Sequence, residues 1–140
     1  MISSMDAMDD LRDGLVQTSF TVIAALSRVA AEQDMSLTQL RMLGILRDRE
    51  PAMAELAAYL GLERSTVSGL IDRAVQRGLV RKTPDTADAR SVRVSLTAEA
   101  RRMETRVIVD IGDLLAPMTD RLTSSERKRL TALLAKLLDQ

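Results

Sequence analysis

Two stretches of this chain concentrate side chains able to grip another molecule. The first, ERSTVSGLIDRAVQR at 63–77, sets Ser65, Thr66 and Ser68 just after Arg64, with Arg73 and Arg77 further along. The second, DARSVRVSLT at 88–97, places Asp88 two residues before Arg90 and then alternates small, apolar and charged positions. Hydroxyls and guanidiniums are hydrogen-bond donors suited to phosphate oxygens and base edges; they are not bond-breaking groups by themselves. The chain has no cysteine and no histidine. That removes the thiol nucleophile, the disulfide, the commonest general base and the commonest transition-metal ligand. Nothing sets a nucleophile beside a base. The expectation is a non-enzyme with no cofactor and no metal.

Those residues need elements to carry them. Helical spacing of apolar positions runs over about 6–31 through Leu11, Leu15, Val22, Ile23, Leu26, Val29 and Ala30. Ser36 or Thr38 offers an N-cap, and Ser36 with Gln39 fits a capping box; a second helix follows, with Leu40, Leu43, Ile45 and Leu46 apolar, and ends before Pro51. A third covers about 52–60 and stops at Gly61. A fourth starts at Glu63 or Arg64 with an apolar face of Val67, Leu70, Ile71 and Ala74, and Val75 at its margin. Gly78 then supplies the positive φ that ends it. Residues 79–82 read as a strand, Pro84-Asp85 as a turn, and 91–96 as the return strand. Val92, Val94 and Leu96 share one face; Ser91, Arg93 and Ser95 share the other. Thr97 caps a fifth helix to about 115, where Pro117 blocks continuation. Thr123 with Glu126 opens a last helix striped by Leu130, Leu133, Leu134, Leu137 and Leu138. The expected fold is mainly α with a small β-hairpin, in one domain over 1–140.

The formal net charge is zero over 140 residues, but it is unevenly spread. Residues 1–60 sum to −4, residues 61–97 to +3 and residues 98–140 to +1. The basic middle holds both grip-forming stretches. The N-terminus is acidic and has none of the cationic start of a signal peptide. The longest apolar run, near 22–26, is too short to span a bilayer. A soluble cytoplasmic protein with no membrane partner is expected.

Two short helices joined at Gly61-Leu62 and followed by a hairpin form the order of a winged helix-turn-helix, whose second helix enters the DNA major groove. On the fourth helix, Ser65, Gly69, Asp72 and Gln76 centre the face opposite the apolar one, flanked by Thr66, Ser68 and Arg73. An arginine at a projecting hairpin tip suits the minor groove, and Asp88 could orient its guanidinium.

Together these stretches resemble the MarR family of bacterial transcription regulators. DARSVRVSLT matches the family's wing pattern, and LGLERSTVSGLIDRAVQRGLVRK at 60–82 matches its recognition helix and the strand after it. The resemblance implies a winged helix-turn-helix lobe over about 36–97, with dimerisation helices over about 6–35 and 98–140. It implies that Arg90 is the wing-tip arginine, with Asp88 as its orienting partner. Ser65, Thr66 and Ser68 become contacts to phosphates and bases. Arg73 contacts phosphate or holds the wing. Arg64, Arg77 and Lys82 are further candidates for backbone contacts. Arg93 is expected beside the wing, not at its contact. Gly69 stands where relatives often carry a longer side chain; it thins direct readout or admits another backbone.

The implied partners are double-stranded DNA, a second copy of the chain, and a small apolar or phenolic effector held between the dimer helices and the DNA-binding lobe. Phe20 and Tyr59 are the only aromatics; methionines, among them Met35, Met42, Met53, Met103 and Met118, could line an adaptable pocket but more often fill cores, and Arg41, Arg47 or Arg49 could meet a carboxylate. The implied function is a dimeric, sequence-specific regulator, a repressor of a pseudo-palindromic operator. The alternative is a winged-helix interaction module that no longer reads DNA, which zero net charge and Gly69 favour slightly and the intact wing motif disfavours.

Overall fold

The computed structural model describes residues 4–88 and 90–139. Residues 1–3 and 140 of the single-domain reading, and Ala89 of the hairpin tip, lie outside the described residues. The elements follow the order α1 (Ser4–Glu32), α2 (Leu37–Ile45), α3 (Met53–Leu60), α4 (Arg64–Gln76), β1 (Val80–Pro84), β2 (Val92–Leu96), α5 (Ala98–Thr119) and α6 (Ser124–Leu137). The fold is mostly helical with a two-stranded antiparallel wing.

Helix ends are set by local chemistry. Ser36 Oγ accepts from the Gln39 N–H at 3.1 Å and starts α2. The reciprocal half of the expected capping box is not made. Gln39 instead spends its amide on the Leu70 carbonyl of α4, at 3.0 Å. Gly61 ends α3 at φ 65°, and Gly78 follows α4 at φ 76°, a conformation that costs a Cβ-bearing residue more than glycine. Thr97 Oγ1 donates to the Gly78 carbonyl at 2.6 Å and accepts from the Ala100 N–H at 3.1 Å. One side chain thus joins the end of α4 to the start of α5. At α6 the full capping box forms between Thr123 and Glu126.

Pro117 does not stop α5, contrary to expectation; the helix runs to Thr119. A proline withdraws only one N–H, and here the turn beyond it closes with Asp120 N–H on the Ala116 carbonyl at 2.8 Å.

The core lies under the hairpin. Met42 of α2 and Leu46 just past its end, Leu56 and Leu60 of α3, and Val67, Leu70 and Ile71 of α4 pack with Val80 and Val94 of the strands. The strand register pairs Val80 with Leu96, Lys82 with Val94 and Pro84 with Val92, so β1 extends through the proline that the sequence assigned to the turn. Residue 52 adds a bridge to Arg93, and the Val94 N–H donates to the Pro51 carbonyl at 3.0 Å. The wing is therefore sewn to the start of α3.

α1 packs on α5 and α2, yet only Val29 and Ala30 of its 29 residues are buried. α6 buries none. Phe20 is 68% exposed and Leu137 61%. By length and composition α1 also qualifies as a membrane-crossing helix, a wider apolar window than the short 22–26 run suggested.

Candidate nucleic-acid interface

α4 begins at Arg64, immediately after the Gly61-Leu62 corner, so its first turn faces the wing. Two adjoining clefts lie between them. One, about 370 Å³, is lined by Arg64, Ser65, Ser68 and Lys82 with Met53 and Val92. The other, about 300 Å³, is lined by Arg64, Asp88, Arg90 and Ser91 with Ala52, Met53, Ala54 and Val92. Arg64 belongs to both. The structure thus brings together Arg64, Ser65, Ser68, Lys82, Asp88 and Arg90. Thr66 is exposed but lines neither cleft, as are Arg73 and Arg77.

The hairpin tip is braced by its backbone. Asp88 Oδ1 accepts from the Arg90 N–H at 3.0 Å. The Ser91 N–H returns to the Asp88 carbonyl, and the Asp85 N–H to the Ser91 carbonyl, both at 3.0 Å. In the unbound chain the Asp88 carboxylate holds the backbone at Arg90, and no ion pair between it and the Arg90 guanidinium forms among the described residues. The reason is geometric. A short acid two residues ahead of an N–H closes a local ring with it. The Arg90 guanidinium is left for solvent or a partner.

Below the tip, Arg93 locks the wing to α3. It pairs with Asp85 Oδ2 at 3.3 Å, approaches Glu55 Oε1 at 3.9 Å and donates to the Glu50 carbonyl at 2.9 Å. The Asp85 carboxyl is held below its usual range, first by the Ala87 N–H and then by Arg93. Arg93 is therefore engaged within the chain below the tip. Sequence reasoning missed Glu50 and Glu55, whose distance along the chain gives no signal.

On α4, Asp72 pairs with Lys82 at 2.9 Å, tying the helix's outer face to β1. The space left by Gly69 is taken by Arg73: a β-carbon at 69 would sit 3.5 Å from Arg73 Nη1. Among the described residues of the single chain no other backbone comes within 4 Å of that position. Arg77 donates to the carbonyls of Gln33 at 2.9 Å and Asp34 at 3.2 Å, at the end of α1.

Residues 33–91, from the end of α1 to the wing tip, match the MarR family model. MarR of E. coli without ligand is similar along almost the whole fold, with TM-score 0.77 and 25% identity over 91% of this chain and 96% of that one. The chain belongs to the MarR family. A mutant of the same E. coli protein, complexed with operator DNA, matches with TM-score 0.72 at 23% identity over 97% and 99% of the two chains. Among curated relatives, the transcriptional regulator PecS of Dickeya dadantii is 28% identical over 88% of this chain and 76% of its own. The transcriptional repressor NicR of Pseudomonas putida is 28% identical over 83% and 74%. These relatives are regulators, not enzymes.

A third concavity in this MarR-family chain, about 490 Å³, lies where α1, α2 and α5 meet. Ile23 and Leu26 of α1, Leu40 and Leu43 of α2, and Met103, Val107 and Ile111 of α5 line it. Arg41, Arg47 and Glu104 add its polar groups, and Arg47 pairs with Glu104 at 3.1 Å. Arg49 lies elsewhere, over the Tyr59 ring at 4.7 Å. Neither aromatic lines this concavity, and Met103 is the one methionine that does.

Proposed function

We propose that the chain is a homodimeric transcription regulator that reads a pseudo-palindromic DNA site, acts as a repressor, and is modulated by a small apolar or phenolic effector. The observation that carries this reading is the shared position of Arg64. It joins the hydroxyls of α4 and the arginine of the wing tip into one donor-rich face. Such a face fits a duplex with α4 in the major groove and Arg90 in the adjacent minor groove. Arg64, Ser65, Thr66, Ser68 and Arg73 serve α4, Lys82 the strand beside it, and Asp88 holds the tip. Arg77 is left out because two of its donors hold carbonyls at the end of α1, away from the clefts.

The lobe over about 36–97 carries that face; the helices over about 6–35 and 98–140 form the dimer. Exposed apolar residues on α1, α5 and α6, among them Leu11, Leu15, Phe20, Ile108, Leu133 and Leu137, make a surface that soluble monomers rarely leave open. A second copy covers it, and α1 is read as a dimer helix of a cytoplasmic protein, not as a membrane span. The concavity between α1, α2 and α5 is the proposed effector site, placed where a ligand touches both the dimer helices and the DNA-binding lobe.

Selection of bound duplexes from a random pool at physiological salt tests this. An inverted repeat with half-site centres about one helical turn apart is the expected result. A pool that stays random, with protein stripped of any ligand, would refute specific reading and leave the interaction module.

A further inference from the structure

Arg77 closes the C-terminal end of α4, nine residues and so about half a turn of azimuth away from Ser68. It faces α1, not the wing. Its Nη2 donates to the Gln33 carbonyl at 2.9 Å and its Nη1 to the Asp34 carbonyl at 3.2 Å. These carbonyls lie just past the last turn of α1, where no further helical N–H comes to take them. Asp34 has φ 55°, the left-handed corner that turns the chain from α1 into α2. The end of a helix also carries partial negative charge, which favours a cation there. A second tie holds α4 at its middle, where the Gln39 amide donates to the Leu70 carbonyl at 3.0 Å. The recognition helix is thus fastened to the α1–α2 corner at two points.

We infer that Arg77 is a positioning residue that sets the angle of α4 against α1, and through α1 the separation of the two α4 helices in the dimer. The inference rests on the regulator reading above. Arg77 does not contact phosphate. With Gln39 still holding Leu70, a slackened end pivots α4 about its middle: the six residues from Leu70 to Arg64 span about 9 Å, so a tilt of about 10° moves the first turn by about 1.5 Å. That is nearly half of a base-pair step of about 3.4 Å. A slackening at Arg77 would misplace Arg64 and Ser65 against their half-site.

The test uses the full chain, Arg77→Ala and Arg77→Lys, on the duplex recovered by the wild type and on copies with one base pair added or removed between half-sites. The clamp predicts that Arg77→Ala weakens the recovered duplex by about fivefold or more. It predicts little change on a mixed-sequence duplex and an unaltered salt slope for both variants. It also predicts a flattened preference for spacing. Uniform weakening, with the salt slope of Arg77→Ala reduced by about 2 per dimer, would make Arg77 a phosphate contact and overturn the inference. A lower melting temperature with selectivity and spacing preference intact would make it merely structural, and would overturn it equally.

A DNA-free arm separates this inference from the function it rests on. The chain lacks cysteine, so spin labels at Ser27→Cys and Gln76→Cys report only the α1–α4 distance when diluted with unlabelled protein. Arg77→Ala should broaden that distribution. If the wild type selects no DNA sequence, the regulator reading falls, and an unchanged distribution would then reject the clamp on its own.

Discussion

Replacing Asp88 by asparagine should leave DNA binding intact, whereas replacing it by alanine should not. The structure gives this side chain one bond, Oδ1 accepting from the Arg90 N–H at 3.0 Å. An asparagine carbonyl can accept the same bond. Alanine cannot, and the tip then pays to order Arg90 on the duplex. A hydrogen bond of this kind contributes about 0.5–1.5 kcal/mol net, so Asp88→Ala should weaken binding about 2–10-fold. Arg90→Ala removes the proposed groove contact and should cost about 1–3 kcal/mol. Because Asp88 acts through Arg90, the double substitution should lose little more than Arg90→Ala alone. Asp88→Asn also removes a negative charge near phosphates, so it should bind as the wild type does or slightly tighter.

The assay is an anisotropy titration on the selected duplex at one fixed salt concentration, since affinities move steeply with salt. If Asp88→Asn falls as far as Asp88→Ala, the carboxylate charge matters, and Asp88 pairs with the guanidinium on DNA after all. If neither substitution has an effect while Arg90→Ala does, the tip orders itself without the Asx bond and the reasoning fails.

Other expectations concern stability. Ile71 is fully buried in the core under the wing, so Ile71→Ala should cost about 2–5 kcal/mol, read as a shift in urea midpoint. Gly44 lies in α2, and a β-carbon there would meet nothing within 4 Å, so Gly44→Ala should stabilise the chain by about 0.5–1 kcal/mol in the same assay. Because the Asp85 carboxyl is depressed by the Ala87 N–H and Arg93, its contribution is present above the ordinary carboxylate range and lost as pH falls through the lowered value. Methyl signals of Val92 and Val94 should stay constant from neutral pH down through the ordinary carboxylate range and change only below it, and this acid transition should vanish in Asp85→Asn. The exposed leucines of α6 should carry the dimer: Leu134→Glu should yield a monomer by sedimentation at micromolar concentration. A persistent dimer would remove α6 from the interface.

Much of the fold was legible because its signals are local. Val67, Leu70, Ile71 and Ala74 recur at helical spacing, and all four are buried. Gly61 and Gly78 mark helix ends by a conformation that glycine adopts freely. Thr123 and Glu126 meet across three residues and need no tertiary partner. The misreadings have the opposite character. Gln39 had a local option at Ser36 but found the Leu70 carbonyl 31 positions away. Pro117 reads as a stop, yet one missing N–H near a helix end is cheap. Asp88 and Arg90 read as an ion pair because opposite charges two residues apart invite it; in the unbound chain the carboxylate takes the nearer backbone N–H.

Arg77 shows why a charge's job is harder to read than a helix's boundary. In the sequence it is one more cation in a basic segment, and a basic segment suggests phosphate. Its actual neighbours are two carbonyls 43 and 44 positions back, created only when α1 ends in a left-handed corner. The same limit applies to the apolar stripes of α1 and α6. Periodicity predicts that those faces want covering, and the structure shows them still open in the single chain. Which copy or partner covers them is a property of the assembly. The angle that Arg77 fixes between α1 and α4 matters only once that cover is in place, because one chain alone has no half-site spacing to set.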